Sequence, residues 1–207
     1  MNLNQYKRLL IYGGSFDPPH VAHIMLPQLA REAIGAEAVA YVPCASQPLK
    51  QDVTQTPAKH RLAMLRLAVA EQPNAIVLTD EIDRASNEIP SYTVDTLKGI
   101  RSRFAGNLRL LIGTDQLAQF DKWHQYEQII ELAEPAVLIR PPGTADGVLD
   151  HLPDGFNKQE WVSRLVVAPQ LDISSTQMRQ RISAGKSIDG WSAPRVIKYI
   201  RRHGLYL

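Results

Sequence analysis

From Ile11 to His23 the chain reads IYGGSFDPPHVAH. An apolar run enters the Gly13–Gly14 turn, and His20 and His23 follow where a helix should begin. Strand, glycine turn and helix together open an α/β fold. The glycines let backbone approach a ligand, and the first N–H groups of a helix favour an anion. A plain turn needs only the glycines, so the histidines are surplus to it. At i and i+3 they share one face if the first turn is helical, and both can then donate to one polyphosphate. A zinc site would need a third ligand that no nearby residue supplies. The bland alternative is a pair of capping or core histidines. Asp17 is read as fixing the turn, because a carboxylate beside phosphates repels them unless a metal intervenes.

The rest of the chain supports a doubly wound, mostly parallel sheet. Apolar runs predict strands at Arg8–Tyr12, Ala38–Pro43, Ile76–Thr79, Leu108–Ile112, Ala136–Ile139 and Leu165–Ala168. Helical patterns lie between them at Ile24–Ile34, Ala58–Glu71, Tyr92–Phe104, Gln116–Ala133, Thr176–Ala184 and Pro194–His203. Pro27 should make the opening turn of the first irregular. The connections Cys44–Pro57 and Pro141–Trp161 exceed simple turns; the first leaves a strand's carboxyl end and is a candidate lid. The second reads equally as a surface insertion.

Composition narrows the partners. With 207 residues, 44% of them hydrophobic, the expectation is one domain over 1–207, with about 171–207 packed against it. A net charge of +2 gives no field for nucleic acid or an anionic membrane. The lone Cys44 excludes an internal disulfide and a cysteine-rich zinc site. No apolar run reaches the roughly 20 residues of a span, and MNLNQYKRLLIYGG lacks the apolar core of a secretory signal. A soluble, cytoplasmic protein is expected.

A second anion site is written at Leu171–Ile182, LDISSTQMRQRI. Ser174 or Ser175 suits an N-cap, and Arg179 leans back over the same helix start, placed to clamp a phosphate. No Walker A or GxGxxG pattern is present.

GGSFDPPHVAH resembles the GG[ST]FDPxHxGH signature of the nucleotidyltransferases related to class I aminoacyl-tRNA synthetases, with Ala22 where that family usually has Gly. The Leu171–Ile182 segment is similar to its ISSTxxR motif. IPSYTVDTL, Ile89–Leu97, and GTDQLAQFDKWHQYEQII, Gly113–Ile130, resemble segments of the bacterial nicotinate-nucleotide adenylyltransferases; CASQPLK and IRPPG match more loosely. His124 stands where a Tyr can follow the family's Trp.

The resemblance implies a Rossmann-like nucleotidyltransferase fold and adenylyl transfer from ATP to nicotinate mononucleotide, with Mg²⁺ carried by the ATP and no metal ligand from the protein. It implies phosphate contacts from His20, His23 and the backbone of Gly13, Gly14, Ser15 and Phe16. Ser174, Ser175, Thr176 and Arg179 would hold the β/γ side, Asp115 and Arg140 the adenosine, and Lys50 the triphosphate. The nicotinate ring would stack on Trp123, beside His124. Its carboxylate would meet the N–H groups of Tyr92 and Thr93, on a helix capped by Ser91. The rivals are an adenylyltransferase using nicotinamide mononucleotide or pantetheine phosphate, and a non-catalytic nucleotide-binding module. Oligomeric state is not legible in the sequence.

Overall fold

A computed structural model describes residues 2–45, 55–84 and 92–207. Among them six strands form one sheet: β1 (Arg8–Gly14), β2 (Ala38–Pro43), β3 (Ala75–Val77), β4 (Asn107–Gly113), β5 (Glu134–Ile139) and β6 (Leu165–Val167), in the order β3-β2-β1-β4-β5-β6. β1 runs parallel to β4, β4 to β5 and β5 to β6, with Ile11 opposite Leu110 and Gly113 opposite Leu138. This is the order of a doubly wound sheet, whose ligands bind beyond the carboxyl ends of strands. β2 is buried along its whole length, as a strand covered on both faces must be.

The helices begin with α1 (Val21–Ala33), α2 (Ala58–Val69), α3 (Asp80–Arg84) and α4 (Thr93–Arg101). α1 opens before the expected Ile24, because the Trp191 carbonyl accepts the Val21 N–H at 2.9 Å and caps it from far along the chain. Pro27 therefore falls inside the helix and not in its opening turn. α4 is preceded by Tyr92 as N-cap, extended at φ −90° and ψ 141°, so Tyr92 is not itself helical as expected. Ser91, expected to cap it, lies outside the described residues, as does Lys50.

The single helix expected over 116–133 is broken. It forms as α5 (Thr114–Leu117), a 3₁₀ turn at Phe120–Lys122 and α6 (Tyr126–Leu132). Trp123 is extended and Gln125 sits in the left-handed region at φ 54°, so the helical ladder cannot run through. The connection after β5 is no bare insertion. It holds α7 (Ala145–Asp150) and α8 (Lys158–Val162), and buries Trp161 to 2% exposure. The last two helices, α9 (Ser175–Ser183) and α10 (Pro194–His203), lie within a residue of expectation.

The chain divides into two compact units. The first comprises Met1–Tyr12, Pro27–Ala40 and Tyr92–Gln170. Its core is the apolar faces of β4 and β5 with Val94, Leu97 and Ile100 of α4. An aromatic cluster joins Phe120, Trp123, Tyr126, Phe156 and Trp161, with Phe156 stacked on Trp161 at 5.0 Å.

The second unit comprises Gly13–Leu26, Tyr41–Ser91 and Leu171–Leu207. Its core packs Met64 of α2 with Met178 of α9, Ile188, and Val196, Ile197 and Ile200 of α10. This cluster fixes α9, so it fixes where the Ser174–Arg179 segment stands.

Candidate active site

In the second unit the Gly13–His23 turn is tied down on every side. Phe16 takes a left-handed φ of 51°, and its ring is fully buried. That ring lies against Gly14: a Cβ built there would stand 3.0 Å from it, so a side chain at position 14 would press the buried ring aside by a few tenths of an ångström. The same ring stands edge-on to His23, at 5.2 Å between centroids. Phe16 can thus serve a ligand only through its backbone, while its side chain supports a histidine.

His20 and His23 are brought together. His20 is 6% exposed, and the two rings stack at 3.6 Å with an interplanar angle of 20°. His20 immediately precedes α1 and His23 is its third residue. The His20 N–H donates to His23 Nδ1 at 3.2 Å, while the His23 N–H donates to the His20 carbonyl at 2.9 Å. The first bond is one half of a capping box and the second closes a main-chain turn, so the capping alternative is realised in part. It also has a chemical consequence. With Nδ1 accepting, the neutral ring carries its proton on Nε2, where it can donate to an anion. Burial, with the nearby His20, holds the His23 pKa well below the ordinary histidine value, so the ring is neutral at pH 7.

The helix start itself contributes less than the sequence implied. The Val21 N–H goes to Trp191 and the His23 N–H to His20. With two of the first three N–H groups engaged within the protein, more of an anion's contacts fall to the rings and to the turn before them.

α9 is built against that turn. Ser174 caps it reciprocally with Gln177, its hydroxyl accepting the Gln177 N–H at 3.2 Å. Ser175 donates its hydroxyl to the Pro18 carbonyl at 2.8 Å. Both hydroxyls are therefore structural, and what Ser175 and Thr176 offer are the first N–H groups of α9, which lack an i−4 acceptor in the helix. Arg179 leans back as expected: one nitrogen donates to Thr176 Oγ1 at 3.3 Å and another to the Asp17 carbonyl at 2.8 Å. Histidine pair and arginine thus belong to one assembly.

Asp17 fixes this assembly. It is 5% exposed; Oδ1 accepts the Tyr206 hydroxyl at 2.6 Å and Oδ2 the Thr56 N–H at 3.1 Å. Burial first, then the bond to Asp17, pushes the Tyr206 phenol far above its ordinary value, so it stays a donor. Ser192 adds a bond to the Pro19 carbonyl at 2.7 Å. Cys44 stands at the end of β2 with its thiol pushed up to about 11, chiefly by burial, and Arg61 opposes that shift. It is no nucleophile at neutral pH.

Sequence reading missed Tyr206, Ser192 and Arg61. Arg61 carried a signal: it shares a helical face with Met64 and Leu65, and a cation on an apolar stripe calls for buried acceptors.

In the first unit, Asp115 opens α5 beyond β4, and Arg140 follows β5, the adjoining strand. Burial pushes the Tyr12 phenol at the end of β1 up to about 12, and the Arg140 charge works against it. Trp123 is only partly covered, so it is not a core tryptophan; that place belongs to Trp161. Tyr92 and the exposed His124 lie 4.4 Å apart between ring centroids. Thr93 and Val94 begin α4 with no side-chain cap from Tyr92.

The cytidylyltransferase-like family model matches residues 11–181. A protein of Roseiflexus sp. named "Probable nicotinate-nucleotide adenylyltransferase" is 39% identical over 95% of this chain and 96% of its own. One of the same name from Gemmatimonas aurantiaca is 36% identical over 96% and 92%. The solved nicotinic acid mononucleotide adenylyltransferase of Plasmodium falciparum, complexed with NaAD, has a TM-score of 0.69 at 21% identity, over 97% of each chain, which speaks for the fold. By its matched domain, and by relatives aligned over nearly its whole length, this chain belongs to the nicotinate-nucleotide adenylyltransferases of the cytidylyltransferase-like family.

Proposed function

We propose that this chain transfers the adenylyl group of ATP to nicotinate mononucleotide, giving nicotinate adenine dinucleotide and pyrophosphate in NAD biosynthesis. The observation that carries it is the stacked His20–His23 pair held on the same loop that anchors Arg179. In this reading the 5′-phosphate oxygen of the mononucleotide forms a bond to the α-phosphorus. The bond from that phosphorus to the oxygen bridging to the β-phosphate breaks, and pyrophosphate leaves. No protein group becomes covalently attached. Rate comes from positioning and from donors aimed at developing charge.

His23 Nε2–H and His20 would donate to phosphate oxygens, with the backbone of Gly13 to Phe16 alongside. Arg179 and the N–H groups of Ser175 and Thr176 would hold the leaving pyrophosphate. Arg179 still has donors beyond the two it gives Asp17 and Thr176, because a guanidinium carries five. Asp115 and Arg140 are assigned to adenosine and Lys50 to the triphosphate. Trp123 is assigned to the pyridinium ring, with His124 beside it, and the α4 start after Tyr92 to the carboxylate.

Mg²⁺ is proposed to come with ATP. Both Asp17 oxygens already accept protein donors, which supports a structural use of that carboxylate. When bound, the ion neutralises phosphate charge. A single domain over 1–207 and a cytoplasmic location complete the proposal, the latter supported by a sequence with one cysteine and so without an internal disulfide. No described helix is long and apolar enough to cross a membrane.

The test is product identity. Incubated with ATP, the protein should convert nicotinate mononucleotide to the dinucleotide and leave pantetheine phosphate unchanged. Conversion of pantetheine phosphate alone, or nucleotide binding without pyrophosphate release, would sink the assignment.

A further inference from the structure

Arg61 on α2 is 1% exposed, yet every nitrogen of its guanidinium has an acceptor. Nε donates to the Thr56 carbonyl at 2.9 Å, Nη1 to the Ser15 carbonyl at 2.9 Å and Nη2 to the Ala45 carbonyl at 3.2 Å. Cys44 Sγ lies 4.0 Å from Nη1. Three stretches of the chain converge on one planar cation. Burying a cation is costly unless its donors are met, so the arrangement needs a purpose beyond filling space.

The Ser15 bond supplies one. In a trans peptide the carbonyl and the next N–H point in opposite directions. By holding the Ser15 carbonyl, Arg61 sets the plane of the Ser15–Phe16 peptide, where Phe16 takes its left-handed φ of 51°. One peptide earlier, the Cys44 N–H holds the Gly14 carbonyl at 2.9 Å and sets the Gly14–Ser15 plane. Two consecutive amides of the turn are thereby aimed from behind.

A second route leads through Thr56. Arg61 holds its carbonyl, while its N–H donates to Asp17 Oδ2, and the Asp17 carbonyl accepts from Arg179. Two residues, Thr56 and Asp17, thus link Arg61 to the residue assigned to pyrophosphate.

We infer that Arg61 is a positioning residue for adenylyl transfer: from outside the substrate site it orients the Ser15–Phe16 amide and, through Thr56 and Asp17, the Arg179 guanidinium. This rests on the nucleotidyl-transfer reading above. The planar fork is essential to it, because three acceptors in different directions match a guanidinium and not an ammonium point charge. Arg61→Lys keeps the charge and loses the fork; Arg61→Met keeps an unbranched apolar stem and loses both.

The experiment measures pyrophosphate release from ATP and nicotinate mononucleotide by wild type, both variants, Arg179→Ala, and the Arg61→Lys/Arg179→Ala double variant. Near-ultraviolet circular dichroism and melting run in parallel, at a temperature well below every transition. Folded Arg61→Lys should lose about ten- to a hundredfold in kcat, the scale of a misplaced reacting group. Its KM for the mononucleotide should stay within about threefold of wild type, since uniform binding is not what Arg61 supplies. The double variant should lose less than the product of the single losses, because both changes disturb one linkage.

Wild-type kcat in folded Arg61→Lys overturns the inference, as does a loss that only tracks the unfolded fraction. If Arg61→Met does not fold, Arg61→Lys decides; if neither folds, Arg61 is a scaffold residue and the inference is wrong. An inactive wild type defeats the functional reading itself, whereas an active wild type with unaffected variants defeats the positioning role alone.

Discussion

His23 accepts the His20 main-chain N–H at one ring nitrogen, and burial keeps the ring neutral. Its value to catalysis should therefore lie in Nε2–H donation as charge shifts, not in a standing positive charge. His23→Ala is expected to lower kcat about 10²–10³-fold with KM little changed. Unchanged turnover in the folded variant would remove His23 from the chemistry. The same burial has a thermodynamic signature. The folded-state pKa is depressed, so above the ordinary histidine value near 6.5 both states are neutral and nothing is lost. As pH falls below it, the unfolded chain takes up a proton that the folded one resists, and stability declines towards the folded pKa. Between pH 7 and 5, urea unfolding should show wild type losing up to about 1.4 kcal/mol per pH unit more than His23→Gln. Parallel slopes would show that His23 protonates freely when folded. Arg179→Ala should raise the KM for ATP. Because Arg179 also holds the Asp17 carbonyl, some loss of melting temperature is expected with it. Normal ATP dependence in a destabilised variant would make Arg179 purely structural.

At the scale of elements, Ser174 is a capping residue whose hydroxyl and main-chain N–H both engage Gln177. Ser174→Ala should cost about 1 kcal/mol of stability, read by urea or thermal unfolding. A cost near zero would mean that α9 is held by Met178 and its core neighbours alone. All six strands were legible because short continuous apolar runs identify the strands of a parallel sheet, even at its edges β3 and β6, which are only partly buried. The helix across 116–133 was misread because its apolar spacing persists through Trp123 and Gln125, where the backbone leaves the helical region. Spacing reports which face is buried, not whether the ladder of hydrogen bonds is unbroken. The start of α1 was missed for another reason: its cap is the Trp191 carbonyl, and a cap made by distant main chain leaves no local mark.

For the whole molecule, the two motifs read separately from the sequence, at Gly13–His23 and Leu171–Ile182, meet as one assembly through Ser175, Arg179 and Asp17. Their residue types were legible because anion sites reuse helix starts, glycine turns and arginine. The ties that hold them, from Arg61, Ser192 and Tyr206, were not, because each joins side chain to partner across a large sequence separation. The ring assignment lies in the other unit. Trp123→Ala is expected to weaken nicotinate and nicotinamide mononucleotides alike, as stacking on a shared ring requires. Discrimination should come instead from the carboxylate, which only accepts hydrogen bonds and suits the start of α4, which receives no side-chain cap from Tyr92 and where an amide would turn a donor towards donors. The central claim, adenylyl transfer to a nicotinate-bearing acceptor, is tested most directly by kcat/KM for the two mononucleotides with saturating ATP. It predicts a preference for nicotinate mononucleotide of about ten- to a hundredfold, the scale of charged hydrogen-bond partners. Equal constants, or a preference for the amide, would contradict it.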